Sequence, residues 1–189
     1  VHKAVRKSDG KELCLKIQYP GVADAIDSDM RALVRLLKLS RLVPMTEQFN
    51  MWLDEVREML KREVDYDLEA HTTRHFRAAL ADDTRFVVPE IVPEFSTHNI
   101  MCMTFERGIG VNDPAVLELS QTRRNFIGRA IMELCCREVF EWNKMQTDPN
   151  FGNYLLRIGE TPEQDQIVLL DFGAIRGFDN EVLGPGREM

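Results

Sequence analysis

The chain predicts an α+β fold, a small mixed lobe followed by a mainly helical one. Three observations carry that reading. Two strand-like runs flank Ser8–Gly10, three amphipathic stretches follow between residues 24 and 80, and a long amphipathic stretch precedes a second pair of strand-like runs near the end.

Taken in order, Val1–Lys7 and Glu12–Ile17 read as strands, and the Asp9-Gly10 pair between them signals a hairpin. Tyr19-Pro20-Gly21 ends the second strand. From Asp24 to Leu42, apolar Ile26, Met30, Leu33, Leu36, Leu37 and the following Val43 recur at helical spacing until Pro44 stops the run. Phe49–Leu60 is a second helix with Trp52, Leu53, Val56, Met59 and Leu60 on one face. A third runs from about Asp65 to Leu80, and Asp82-Asp83 closes it. Phe86–Val88 and Ile100–Phe105 are short strands on either side of a proline-rich connection, and Glu106–Asp113 is a loop. Gln121–Lys144 is a long helix carrying Phe126, Ile127, Ala130, Ile131, Leu134, Cys135, Val139 and Trp142. Tyr154–Ile158 and Gln166–Leu170 form the last hairpin, with Gly159–Asp165 as its turn.

Composition narrows the functional classes. A hydrophobic share of 44% with 29% charge lets the chain bury a core and excludes intrinsic disorder. The net charge of -7 provides no broad basic field that would favour nucleic acid or anionic lipid. Cys14, Cys102, Cys135 and Cys136 make no C-x-x-C pair and sit in apolar contexts. They read as buried, reduced thiols in a reducing compartment. No apolar run reaches the length of a membrane span, and Glu90 and Glu94 interrupt the segment Phe86–Phe105. The first residue is Val and already reads as strand, so the chain is expected to be a fragment.

The chemistry-bearing stretch is Met145–Gly177. Asn153 lies just before the first strand of the last hairpin and Asp171 just after the second. A hairpin brings its outer ends within roughly 5 Å, so an amide oxygen and a carboxylate meet at one spot. Asp148, in the preceding loop, can reach the same spot. Two carboxylates and an amide, all oxygen donors, suit Mg²⁺ with room for phosphate oxygens. D-x-x-x-x-N followed by D-F-G is the spacing protein kinases use in phosphoryl transfer. The alternative is a polar turn with a capping Asp. Lys16, between Leu15 and Ile17, offers a cation for the phosphates; alternatively it lies on the solvent face of an edge strand. An acidic helical partner is available in Glu63, Asp65, Asp67 and Glu69. Helix capping accounts for Asp65 and the helix dipole for Glu63, whereas Glu69, one turn in, is better explained by an ion pair with Lys16.

The motifs LKIQYPGV, EVDYDLEA, MQTDPNFGN and LLDFGAIR, in that order, resemble the UbiB family of atypical protein-kinase-like proteins, closest to its mitochondrial coenzyme Q branch. The resemblance runs from Val1 to about Asp179. It implies an α+β, protein-kinase-like bilobal fold, here truncated at both ends. Residues 1–105 would form a partial N-lobe, with a helical insert at about 22–62 and helix αC at about 65–81, and 106–189 a partial C-lobe. It also implies ATP and Mg²⁺ as ligands. Lys16 matches the phosphate-contacting lysine, Glu69 its helical partner, Asp148 the catalytic-loop Asp, and Asn153 and Asp171 the Mg²⁺ ligands. Met103, Thr104, Phe105 and Glu106 match the hinge that reads adenine, although core packing also accounts for Met103. Glu63 and Asp65 match the regulatory E-x-D motif. The family's alanine-rich nucleotide loop, K-x-G-Q helix and C-terminal helices would fall outside the chain. The implied activity is that of an atypical kinase or ATPase supporting ubiquinone biosynthesis on the matrix side of the mitochondrial inner membrane. Coenzyme Q biosynthetic proteins, and a lipid or membrane surface, are the implied partners. The alternative is a nucleotide-gated lipid- or protein-binding scaffold without phosphotransfer to protein.

Overall fold

A computed structural model describes residues 1–40, 44, 46–148 and 150–178. Strand β1 (His2–Val5) and strand β2 (Glu12–Ile17) form the first hairpin, its turn closed by Gly10 donating to the Arg6 carbonyl at 2.8 Å. Helix α1 (Val22–Ser40) and helix α2 (Glu47–Glu63) follow. Leu42 and Val43, which the apolar spacing adds to α1, lie outside the described residues. Thr46 caps α2 by accepting from the Phe49 amide. Helix α3 (Tyr66–Ala79) starts at Asp65, whose carboxylate accepts from the Leu68 amide at 2.9 Å.

Strand β3 (Phe86–Val87) leads through a connection to β4 (Ile100–Thr104). In the first sheet the order is β1-β2-β4, so β2 is the central strand and Lys16 does not stand on a sheet edge. Four further elements separate β4 from the stretch Met145–Gly177 or overlap it: β5 (Ile109–Gly110), the short helix α4 (Pro114–Leu117), α5 (Gln121–Phe140) and β6 (Lys144–Gln146). The last hairpin is β7 (Tyr154–Arg157) and β8 (Gln166–Leu169), and β9 (Ile175–Gly177) follows. The second sheet runs β3-β8-β7-β5, with β3 parallel to β8, and β6 pairs with β9 in a two-stranded ribbon. Thus β3, which precedes residue 105, belongs to the second sheet.

Three expectations need correction. The long helix stops at Phe140 rather than Lys144. Asn143 turns the chain at φ 50, and Lys144–Gln146 becomes a strand held by Ile175–Gly177. The loop Glu106–Asp113 contains β5, because Ile109 and Gly110 find partners in Leu156 and Leu155. Of the four cysteines only Cys102 is buried; Cys14 is half-buried, and Cys135 and Cys136 are exposed. The stripe of α5 that faces the core is Ile127, Ala130, Leu134 and Glu138, and residues next to Leu134 in sequence rotate away from it.

Helix α3 ties the lobes together. Ala70 packs with Ile91, Met101 and Met103 under the first sheet. Two turns on, Phe76 and Leu80 enter the main core with Phe86, Leu134, Leu156, Ile167, Leu169 and Phe172. The fully buried Phe76 ring stands edge-on to Trp142 and 5.0 Å from the ring of Phe172. Burying such a side chain contributes about 1.5–3 kcal/mol, so the position of α3 is fixed from both sides. Among the described residues no helix is long and apolar enough to cross a membrane.

Candidate functional site

A cavity of about 560 Å³ opens between the two sheets. Cys14 and Lys16 of β2 and Met103 of β4 line one side, and Asn153, Leu155, Leu170 and Asp171 the other. Thr104, Phe105 and Glu106 close the end where the chain passes between lobes.

Strand alternation puts Cys14 and Lys16 on the same face of β2. The Lys16 ammonium donates to both oxygens of Glu69 at 2.8 Å and to Oδ2 of Asp171 at 3.2 Å. It also lies over the Tyr66 ring, 5.5 Å from its centre. Glu69 is only 2% exposed. Burial, above all, pushes its carboxyl up to about 7; Lys16 pulls the other way, and Asp171 adds to the rise. For Lys16, burial opposes the charge, but Glu69 and then Asp171 outweigh it and hold the ammonium above its usual range. The two rises thus have different causes: burial dominates at Glu69, and the two neighbouring carboxylates dominate at Lys16.

The last hairpin delivers Asn153 and Asp171 together. Tyr154 pairs with Leu169, and the Leu170 amide donates to the Asn153 carbonyl at 3.0 Å, so the two residues flank the open end of the ladder. The Gly173 amide donates to Oδ1 of Asp171 at 2.9 Å. A Cβ at Gly173 would stand 3.3 Å from that oxygen, a tight approach, and 3.5 Å from Oε2 of Glu69, an ordinary contact.

Asp148 is not on the cavity wall. It is exposed and lines a neighbouring pocket of about 60 Å³ with Glu63, Thr147, Gly173 and Ala174. The structure therefore groups Lys16, Glu69, Asn153 and Asp171 at one place and Asp148 with Glu63 beside it. Asp65 is the cap of α3. Sequence reasoning missed Gln146, which links the two places: its side chain accepts from the Asp148 amide at 3.4 Å and donates to the Asp171 carbonyl at 3.0 Å. Its own amide donates to buried Glu138 at 3.1 Å. The only signal for Gln146 was its place two residues before Asp148. For Cys14 the signal was its spacing of two from Lys16.

Among the described residues, no group of three or more His, Cys, Asp or Glu side chains could hold a metal ion alone. Asn153 and Asp171 offer two oxygen donors at the cavity end. That set fits a hard cation that keeps waters and borrows further oxygens from a bound phosphate, as Mg²⁺ does.

Comparison with known proteins places these features. Residues 1–184 match the family profile described as ABC1 atypical kinase-like domain. The chain is 42% identical over 189 residues to the protein named atypical kinase COQ8, mitochondrial, of Saccharomyces cerevisiae, covering all of this chain and 36% of the yeast protein. It is 39% identical over 178 residues to atypical kinase coq-8, mitochondrial, of Caenorhabditis elegans, covering 94% of this chain and 23% of that one. The chain thus spans between about a quarter and about a third of the length of these relatives. Among solved structures, Rv3197 from Mycobacterium tuberculosis, in a complex with erythromycin, superposes with a TM-score of 0.71 at 29% identity, over 99% of this chain and 48% of that one. With nearly every residue inside the matched region, the protein belongs to the ABC1 atypical kinase-like family.

Proposed function

We propose that the cavity binds ATP with Mg²⁺ and that the site transfers or hydrolyses the terminal phosphoryl group. The observation that carries this reading is the Lys16–Glu69–Asp171 cluster. A lysine is held in place by a buried helical carboxylate and points at a second carboxylate on the wall of a cavity of about 560 Å³. Such a cation neutralises phosphate charge without moving, which is how phosphoryl transfer gains most of its electrostatic stabilisation. Asn153 and Asp171 would hold Mg²⁺, which would neutralise charge on the phosphates when bound. Glu69 positions Lys16. Asp148 would orient the attacking group and accept its proton. The backbone of Met103, Thr104, Phe105 and Glu106 would meet the nucleobase.

The mitochondrial atypical kinases among the relatives support a wider assignment. In it, the protein serves ubiquinone biosynthesis on the matrix side of the mitochondrial inner membrane, beside coenzyme Q biosynthetic proteins and a lipid surface. The acidic balance of the chain argues against nucleic acid as a partner. Glu63 and Asp65 would form a regulatory motif, and the nearness of Glu63 to Asp148 supports that role for Glu63.

The exposed position of Asp148, off the cavity wall, favours a second reading: a nucleotide-gated scaffold without transfer to protein. Function that survives Asp148→Asn but not Lys16→Ala would select it. The direct test of the first reading is Mg²⁺-dependent ATP turnover by the intact protein. Asp171→Asn is expected to lower the rate about 100-fold or more, as loss of one preorganised electrostatic contact does. Parent turnover no greater than the variant's would exclude the enzyme.

A further inference from the structure

The segment between the lobes is fastened to β7 by contacts the site has not yet used. The Arg157 guanidinium, two residues along β7 from Leu155 of the cavity wall and on the same strand face, donates through Nη2 to the Glu106 carboxylate at 2.5 Å. Its Nε donates to the Arg107 carbonyl at 2.8 Å. Glu106 in turn accepts from the Thr104 hydroxyl at 2.6 Å, and that hydroxyl accepts from the Glu90 amide at 2.9 Å. Thr104 is 8% exposed and the Glu106 side chain 16%, so the inner part of this relay is withdrawn from solvent, while the Arg157 side chain is 33% exposed. It runs from the start of the connection before β4, along the cavity end, into the second sheet.

Two features unrelated to Arg157 hold the same segment against β7. A Cβ on Gly108 would stand 2.7 Å from the Leu155 Cβ and 3.1 Å from the Leu156 carbonyl oxygen, so only glycine permits this approach. Beyond it, Ile109 pairs with Leu156. Thr104–Gly108 therefore has little freedom to slide along β7; Arg157 supplies a charged clasp on the β7 side, and Arg107 pairs with Glu12 of β2 at 2.7 Å on the other. Two directed hydrogen bonds from a planar guanidinium fix orientation as well as distance, which a lysine ammonium cannot do.

We infer that Arg157 is a positioning residue for nucleobase binding: by clasping Glu106 and the Arg107 carbonyl it sets the backbone of residues 104–107 at the base end of the cavity. This rests on the nucleotide reading above. Lys16, Asn153 and Asp171 lie at the other end, so the clasp governs recognition of the base and leaves the phosphate end alone. A merely structural ion pair would instead affect both ends together, through stability.

The two ends can be probed separately in the intact protein, by titrating it with Mg²⁺-ATP and with Mg²⁺-tripolyphosphate, which carries the phosphates without base or sugar. For Arg157→Gln, the Kd for Mg²⁺-ATP is expected to rise about tenfold or more while that for Mg²⁺-tripolyphosphate stays within about twofold. Arg157→Lys, which restores a charge beside Glu106 but not the second bond, is expected to fall between. Equal weakening of both ligands, or no change in Mg²⁺-ATP affinity, would overturn the inference. Absence of binding of either ligand to the parent protein would overturn the nucleotide reading itself, and the inference with it.

Discussion

At the scale of single residues, the account turns on Glu69. Its carboxyl is pushed up to about 7, from an ordinary value near 4.5, mainly by burial. A group whose native value is raised holds its proton more tightly in the folded than in the unfolded state. Its contribution to stability is therefore complete below about 4.5 and is lost as pH rises through about 7. Thermal midpoints of the parent measured from pH 4.5 to 7, relative to those of Glu69→Gln, should fall with rising pH. A relative midpoint that rises over that window would mean the ion pair with Lys16 outweighs burial. The pairing was legible through Glu69, an acid one turn into a helix that capping and the helix dipole explain poorly; Lys16 alone was equally well explained as a solvent-facing residue of an edge strand. The third partner was less legible: nothing local says that the Lys16 ammonium also reaches Asp171. Cys135 and Cys136 show the reverse error, since apolar neighbours in sequence do not share a helix face.

At the scale of elements, hairpins were readable from turn residues and alternation, and β3 and β4 from their apolar runs, whereas the short strands β5 and β6 were not. Lys144–Gln146 has no β-branched residue, and its partner strand lies some thirty residues on, so the helical pattern before it simply seemed to continue. Ile109–Gly110 is a strand only because β7 is beside it. The turn of the last hairpin owes its shape to a residue 42 positions away. Arg123, near the start of α5, makes a bidentate pair with Asp165, both bonds 2.6 Å, and donates to the Gly159 carbonyl. Asp165 is 3% exposed and also accepts from the Gly159 amide. Burial works against its charge, but the hydrogen bonds from Arg123 and Gly159 win and hold its carboxyl below the ordinary range. Removing one partner of such a pair strands the other. Asp165→Ala, which leaves the Arg123 and Gly159 donors without their acceptor, is expected to cost about 1–3 kcal/mol, read from chemical denaturation. A cost under about 1 kcal/mol would show that water replaces the pair and that the turn holds itself.

At the scale of the whole molecule, two sheets are set on either side of a cavity, and α3 is anchored in the cores of both. The ends of β2, α3 and the last hairpin bring Lys16, Glu69, Asn153 and Asp171 to one place, although they are spread over more than 150 residues of sequence. The motifs foretold which residues would meet but not where Asp148 would stand, since its position depends on the ribbon of β6 and β9 and on Gln146. The central claim is that this convergence is a metal and nucleotide site. It is tested most directly by a thermal shift of the intact protein with Mg²⁺ and ATP, comparing the parent with Asp171→Asn. A ligand at about 100 times its Kd adds about 2.7 kcal/mol to stability. The account predicts a raised midpoint in the parent and little or none in the variant. An equal shift in both, or none in a well-folded parent, would contradict it.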